Sequence, residues 1–319
     1  MSRVSIVIPC YNQARFLADA IASALEQTGP DVEVVVVNDG STDGSAAVAA
    51  RYPVRLVAQR NHGLSAARNA GLRASTGALV IFLDADDRLR PGAADAAVRA
   101  LEAFPGAMIA VGRCVLIDEH GRSLPAPSLP PVRSDCYVEL LRHNCIWTPA
   151  MAAYRRDVFA HVGGFDPQVN PAADYDMYLR VARRFPLAPH DTVVVEYRQH
   201  AGSMSRDAAR MLDATLAVLR RQRRFARRSP AEWTAYRAGM RRWREFYGDH
   251  LVEQFRAGLR RPGGRREAFR AACHLLRLHP RGVARHVVRK AALLYAGRAT
   301  PAAEIAAASS RASDSPGNR

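Results

Sequence analysis

The sequence predicts an α/β protein: a mostly parallel sheet with helices on both faces, continued by an α-helical extension. Three observations carry this expectation. In residues 1–100, short β-branched runs alternate with segments whose apolar residues recur at helical spacing, which implies right-handed crossovers between parallel strands. Several of these runs end in polar residues, where sheets of this kind bind ligands. Beyond Ser205 the pattern becomes helical and arginine-rich.

The elements follow in order. Val4–Ile8 is a β-branched run ended by Pro9, and Leu17, Ile21, Ala24 and Leu25 then keep helical spacing. Val32–Val37 is a second strand, followed by an alanine-rich helix to about Tyr52. Val54–Val57, a helix over Ser65–Ala74 and a strand over Leu79–Leu83 complete the regular half. The pattern then loosens, with strands expected at Met108–Ile117, Ala150–Tyr154 and Thr192–Tyr197 and a helix at Asp174–Arg184. The proline-rich stretch Leu124–Val132 reads as a loop. The expected organisation is a sheet domain over residues 1–205, a basic helical extension over 206–299 and a disordered Ala/Ser/Pro/Gly tail over 300–319.

Of the 319 residues, 48% are hydrophobic and 24% charged, which excludes a wholly disordered chain. The formal charge of +16 points at first to nucleic acid or an anionic surface. Its distribution narrows that reading. Residues 1–200 hold 20 basic and 21 acidic residues, and residues 201–319 hold 26 and 9, so the excess belongs to the carboxyl-terminal part. Five cysteines without C-x-x-C spacing argue against a zinc ribbon or a redox pair. With no apolar run long enough to span a membrane and no signal-peptide pattern, the expected location is cytoplasmic.

Four motifs could carry chemistry. Val80-Ile-Phe-Leu83 runs into Asp84, Asp86 and Asp87, and three carboxylates after a buried strand repel one another unless a hard cation such as Mg²⁺ or Mn²⁺ sits among them. An Asp-rich cap for a helix near Pro91 accounts for one aspartate, not three. Asn38-Asp39-Gly-Ser-Thr-Asp43 ends another strand. It suits either a helix cap or an Asp39 that accepts from a base or ribose. In Asn61 to Gly71, Gly63 turns the chain into a helix bearing Arg68, either a bidentate phosphate ligand or a solvated arginine. Gly163-Gly-Phe-Asp166 precedes Ala173-Asp174-Tyr-Asp176 at a helix start, where the carboxylates serve as cap, dipole partners or a base.

Together with Ile8-Pro-Cys-Tyr-Asn12 and Tyr197-Arg-Gln-His200, these segments in this order resemble the family 2 glycosyltransferases of the GT-A fold over about residues 1–205. The resemblance implies inverting transfer of a sugar from a nucleotide-diphosphate donor, with UDP-sugars as the default, to an acceptor hydroxyl on a saccharide or lipid-linked molecule in cell-surface polysaccharide or glycolipid assembly. It implies that Pro9, Tyr11 and Asp39 hold the nucleoside, that Arg68 and Asp84 lie at the diphosphate, and that Asp86, with Asp87 and His200, holds Mn²⁺ or Mg²⁺. Asp174 matches the base. Ala173 stands where the family often has an acidic residue, which leaves Asp176 open for that role. The family's processive Gln/Arg-x-x-Arg-Trp pattern is missing, since Gly239 occupies its first position before Arg242-Trp243.

Trp233, Tyr236, Met240, Trp243, Tyr247, Leu251, Phe255 and Leu259 form one helical stripe interleaved with Arg237, Arg241, Arg242 and Arg244. The stripe suits packing on neighbouring helices, another subunit or, with its arginines, an anionic membrane. Further helices are expected at Leu275–Leu278 and Val283–Leu294. Two other readings stand beside the transferase: a nucleic-acid-binding protein, which lacks a familiar motif, and a non-catalytic sugar-binding relative of the same fold. A Rossmann fingerprint and a Walker A loop are both excluded.

Overall fold

The computed structural model describes residues 3–125, 132–261 and 263–278. The central part of the expected Leu124–Val132 loop, the expected Val283–Leu294 helix and the 300–319 tail lie outside the described residues. The chain divides into two compact units, residues 1–243 and 244–319.

The first unit begins with β1 (Val4–Cys10), α1 (Ala14–Leu25), β2 (Val32–Asp39), α2 (Ser45–Ala49), β3 (Arg55–Gln59), α3 (Leu64–Ala74) and β4 (Leu79–Phe82). It continues with β5 (Arg88–Leu89), α4 (Ala93–Ala103), β6 (Ile109–Ile117), β7 (Ser123–Leu124), α5 (Tyr137–Arg142), β8 (Ala152–Arg155) and α6 (Val158–Val162). Then come α7 (Ala173–Ala182), β9 (Leu187–Arg198) and α8 (Ala208–Ala226). Among the described residues these strands form one sheet in the order β3-β2-β1-β4-β8-β6-β9-β5, with β7 paired to β6.

The sheet is parallel through β3, β2, β1 and β4, as the alternating sequence predicts. Beyond β4 it is mixed, because β8 runs antiparallel to both β4 and β6 while β6 and β9 run parallel. Strands β1 and β4 are buried along their whole length, which is why their sequences are continuous apolar runs rather than alternations. Helix α1 buries Phe16, Leu17, Ala20, Ile21 and Ala24 against the sheet and leaves its polar side outward. Helix α3 lies so close to β1 that a Cβ at Gly71 would stand 2.1 Å from Val7 Cγ1.

The sequence reading did not anticipate β5, β7, α5 and α6, and the strand expected at Ala150–Tyr154 begins at Ala152 after a helical turn; two further elements differ in their bounds. The alanine-rich helix is only Ser45–Ala49. Strand β9, expected over Thr192–Tyr197, begins at Leu187, where its pairing with β6 carries Pro189 through the ladder before a register shift near Gly112.

Helix α9 (Pro230–Arg260) follows the predicted stripe in part: Tyr236, Met240, Tyr247 and Leu251 are buried, Trp233, Trp243 and Phe255 half-buried and Leu259 exposed, with Arg237, Arg241 and Arg242 exposed between them. In the first unit Gly239 meets the carbonyl of Leu141 so closely that a Cβ there would stand 2.0 Å from it. In the second unit α10 (Arg265–Leu278) buries Ala268, Ala271 and Leu275. Among the described residues no helix is long and apolar enough to cross a membrane.

Candidate active site

The carboxyl edge of the parallel strands carries the site. The loops after β1 and β2 are laced together: Asn12 N donates to Ser41 Oγ at 3.0 Å, Thr42 N donates back to Asn12 Oδ1 at 2.8 Å, and Ala14 N donates to Asp43 Oδ2 at 3.0 Å. Asn12 takes a φ of 53°, a turn conformation that asparagine tolerates better than most residues. Next to this lacing, Pro9 is buried in β1 and Tyr11 is 47% exposed. Asp39, at the end of β2, is buried. It accepts from Gln59 Nε2 at 2.7 Å, His62 N at 2.9 Å and Gly63 N at 2.9 Å, and so fixes the turn into α3.

The three aspartates after β4 have three different fates. Asp84 accepts from Arg68 Nη2 at 2.7 Å, and Arg68 is buried behind it. Burial pushes the Asp84 carboxyl up against the pull of Arg68, and the charge of Asp86 adds to the rise. Asp86 Oδ2 lies 2.9 Å from His200 Nε2. Asp87 is fully buried: its Oδ2 accepts from Thr148 Oγ1 at 2.8 Å and its Oδ1 from Arg198 N at 2.9 Å. Burial and the charges of Asp86 and Asp84 hold Asp87 well above the usual carboxylate range. The structure therefore sets Asp87 apart from the expected metal group, as a clasp between the β4 turn and the end of β9.

Asp174 occupies the first turn of α7 and accepts from Tyr175 N at 2.8 Å. Burial pushes its carboxyl up to about 6, partly offset by the nearby positive charge of Arg68 and reinforced by Asp84. Arg68 thus lies within electrostatic reach of both carboxylates, while its Nε and Nη1 have no hydrogen-bond partner among the described residues. The buried hydroxyls of Tyr154 and Tyr178 lie in the same neighbourhood, and burial with the Asp174 charge keeps both protonated. Asp176 is different: buried, it accepts from Arg180 Nε at 2.7 Å and has Arg221 Nη1 at 4.0 Å. Arg180 already neutralises it, while Arg221 Nη1 is engaged with Asp166 at 2.7 Å.

Residues 5–163 match the family described as Glycosyl transferase family 2. The amino-terminal half of the chain belongs to this family. The chain is 34% identical over 178 residues to an uncharacterized glycosyltransferase of Nostoc sp., covering 52% of this chain and 54% of that protein. It is 43% identical over 125 residues to the succinoglycan biosynthesis protein ExoO of Rhizobium meliloti, covering 38% and 36% respectively. The matches thus span between about a third and about half of these relatives. Two solved structures share the fold. One is S. aureus TarS 1-349 in complex with UDP-GlcNAc (TM-score 0.55, 16% identity, 84% of this chain and 89% of that one). The other is the mannosyltransferase PcManGT from Pyrobaculum calidifontis in complex with GDP-Man and Mn²⁺ (TM-score 0.56, 21% identity, 86% and 81%).

The family 2 match ends before α7, so Asp174 and His200 are placed by geometry rather than by that match. Among the described residues no three His, Cys, Asp or Glu side chains converge on a metal position. The Asp86–His200 pair nevertheless fits a divalent ion. It offers one hard oxygen and one imidazole nitrogen, the donor types Mn²⁺ accepts, and such ions commonly take their remaining ligands from substrate phosphates and water.

The sequence reading did not single out Arg198. Its side chain is buried; Nε donates to the Asp86 carbonyl at 2.7 Å, Nη1 to the Glu119 carbonyl at 3.2 Å and Nη2 to Asp19 Oδ2 at 2.9 Å, while the guanidinium lies over Phe16. It fixes the backbone on which Asp86 sits. Its position two residues before His200, at the end of a strand, was the available signal.

Proposed function

We propose that this protein is a metal-dependent, inverting glycosyltransferase that moves a sugar from a nucleotide-diphosphate donor, with UDP-sugars as the default, to an acceptor hydroxyl. The observation that carries this reading is the meeting at one sheet edge of the Asp86–His200 pair, the Arg68–Asp84 pair and Asp174 with its raised pKa. The family match and the two nucleotide-sugar complexes of the same fold support the substrate class.

In this reading Tyr11 and Pro9 flank the nucleoside, and Asp39 orders the loop beside it. Asp86 Oδ2 and His200 Nε2 would hold the divalent ion, beside Asp84, and such an ion would supply positive charge opposite the leaving phosphate oxygens. Arg68, buried beneath Asp84, keeps that carboxylate in place and holds Asp174 mostly ionised at neutral pH. Asp174 takes the acceptor's proton as its oxygen attacks the anomeric carbon from the face opposite the leaving group. The oxocarbenium-like carbon requires no nucleophile from the protein. Asp174 is preferred to Asp176 because Asp176 is buried in an ion pair with Arg180.

A role in cell-surface polysaccharide or glycolipid assembly is supported by the likeness to ExoO. A position at an anionic membrane surface is supported by α10, which leaves Phe269 (70% exposed) and Leu276 (63%) outward beside the exposed Arg266, Arg270 and Arg277. The test is a panel of nucleotide sugars scored by nucleotide release with Mn²⁺ and with EDTA. Product anomers are read by NMR: turnover of one donor with inverted configuration supports the reading, and retention of configuration refutes the direct displacement.

A further inference from the structure

A second charged site lies outside the crevice. The last turns of α7, the segment from Val162 to Asp166 and the side of α8 enclose a cleft of about 410 Å³. Four arginines line it (Arg180, Arg183, Arg221 and Arg224) against two carboxylates, Asp166 and Asp176.

The carboxylates are already committed. Arg180 Nε pairs with Asp176 at 2.7 Å, and its Nη2 donates to the carbonyl of Gly164 at 2.8 Å. Arg221 Nη1 pairs with Asp166 at 2.7 Å. Arg183 and Arg224 are the remainder. Among the described residues neither has a carboxylate within ion-pair distance.

Neutral groups hold Arg183 in place. Its Nη1 donates to Gln222 Oε1 at 3.0 Å, and its guanidinium lies 3.5 Å over the ring of Phe225. Gln222 is itself buried and also accepts from Tyr137 at 3.2 Å, which fixes the oxygen that orients Arg183. Arg224 approaches the same Phe225 ring, 4.5 Å from its centre. Burial, with the charges of Arg184 and Arg224, depresses the Arg183 pKa, an electrostatic cost that an anion in the cleft would remove. A guanidinium oriented by an amide and an aromatic face keeps its full charge for a ligand, whereas one in a salt bridge does not.

We propose that this cleft between α7 and α8 is a second anion site, distinct from the crevice at the end of β4, and that it takes a phosphate-bearing ligand. Four guanidiniums less two carboxylates leave a surplus of two positive charges. A phosphate monoester carries about −1.5 to −2 near neutral pH and accepts in the planar, bidentate manner that arginine offers. The volume accommodates a diphosphate or a phosphorylated sugar, larger than a single chloride needs.

The experiment uses the full chain in EDTA, so that no metal-dependent donor binding contributes, with calorimetric titration of inorganic phosphate and of pyrophosphate. Arg183→Gln and Arg224→Gln are the variants. Arg224 is exposed, so its replacement keeps the fold even if loss of the Arg183–Phe225 stack does not. Saturable binding that weakens on the order of tenfold in each variant, as expected for loss of one charge-assisted contact, is the predicted result. Asp86→Ala must leave it unchanged, which separates this site from the proposed catalytic reading. A second arm distinguishes the ligand's source, using sedimentation with phosphatidylcholine vesicles with and without phosphatidylglycerol. Loss of vesicle binding in Arg224→Gln assigns the phosphate to a lipid headgroup, and unchanged vesicle binding beside weakened pyrophosphate binding assigns it to a free phosphorylated molecule. No saturable binding of phosphate, pyrophosphate or anionic vesicles, or binding of all of them at parental strength in Arg224→Gln, overturns the proposal.

Discussion

Replacing Asp174 by asparagine removes the proposed base and, at the same time, a cost to stability. In the folded protein burial raises this carboxyl from 3.8 to about 6. An acid whose folded pKa is raised costs the folded state nothing below its unfolded pKa and progressively more as the pH climbs through the folded value. Above pH 6 to 7 the full difference of roughly two pH units corresponds to about 3 kcal/mol, at 1.36 kcal/mol per unit. Asp174 keeps some contact with solvent, which lowers the realised figure to ~1–3 kcal/mol. Asparagine is close in shape to the protonated acid and carries no charge to desolvate. Asp174→Asn is therefore expected to be more stable than the parent at pH 8 by several degrees in Tm, with the gap closing towards pH 4 to 5. Its glycosyl transfer falls by a factor on the order of 10²–10⁴, the usual worth of a general base. Thermal unfolding in EDTA across pH 5 to 8 and donor turnover at pH 7.5 read the two effects. A variant less stable than the parent at pH 8 would refute the strain, and one that keeps parental turnover would refute the role.

Other consequences follow from neighbouring groups. The parent's kcat/KM is expected to rise about tenfold from pH 5 to a plateau above pH 7, as Asp174 ionises near 6. Turnover is measured with Mn²⁺ present, whose charge offsets that of Asp84, so the midpoint is expected at or below 6, and a flat profile over this range excludes Asp174 as the base. Asp86→Ala and His200→Ala each remove one of two protein ligands and should abolish the Mn²⁺-dependent thermal shift given by a nucleotide sugar while the protein stays folded by circular dichroism. Asp87→Ala should instead destabilise by about 2–4 kcal/mol in urea unfolding, because it strands Thr148 Oγ1 and Arg198 N in the interior. Gly71→Ala should prevent soluble expression or lower Tm by several degrees, since its Cβ would overlap Val7 at 2.1 Å.

The parallel half of the sheet was legible because each segment has one periodicity and one burial pattern. The apolar runs of β1, β2 and β4 are buried, and the amphipathic α1 shows its apolar residues to them. The amino-terminal part of β9 was not legible. Pro186, Pro189, His190 and Asp191 read locally as a loop, and only pairing with β6 holds Leu187 to Pro189 extended. At the site, residue types could be read but directions could not. Asp86 and Asp87 are neighbours in sequence, yet the turn after β4 sends one to His200 and the other into the interior. Arg68, which the sequence offered as a phosphate ligand or a solvated helix arginine, lies buried behind Asp84. The proposed preference for Asp174 over Asp176 has a counterpart in the sequence. Arg180 stands four residues beyond Asp176, the spacing at which an arginine on the same helix face neutralises an aspartate.

The central claim is that Asp86 and His200 hold a divalent ion on which donor use depends. Nucleotide release from the preferred nucleotide sugar, measured with purified full-length protein across a Mn²⁺ titration, tests it most directly. A saturable rise from a background rate in EDTA, lost in Asp86→Ala and retained in Asp176→Asn, is the expected result. Equal turnover in EDTA and in Mn²⁺, or full Mn²⁺-dependent turnover in Asp86→Ala, would contradict it.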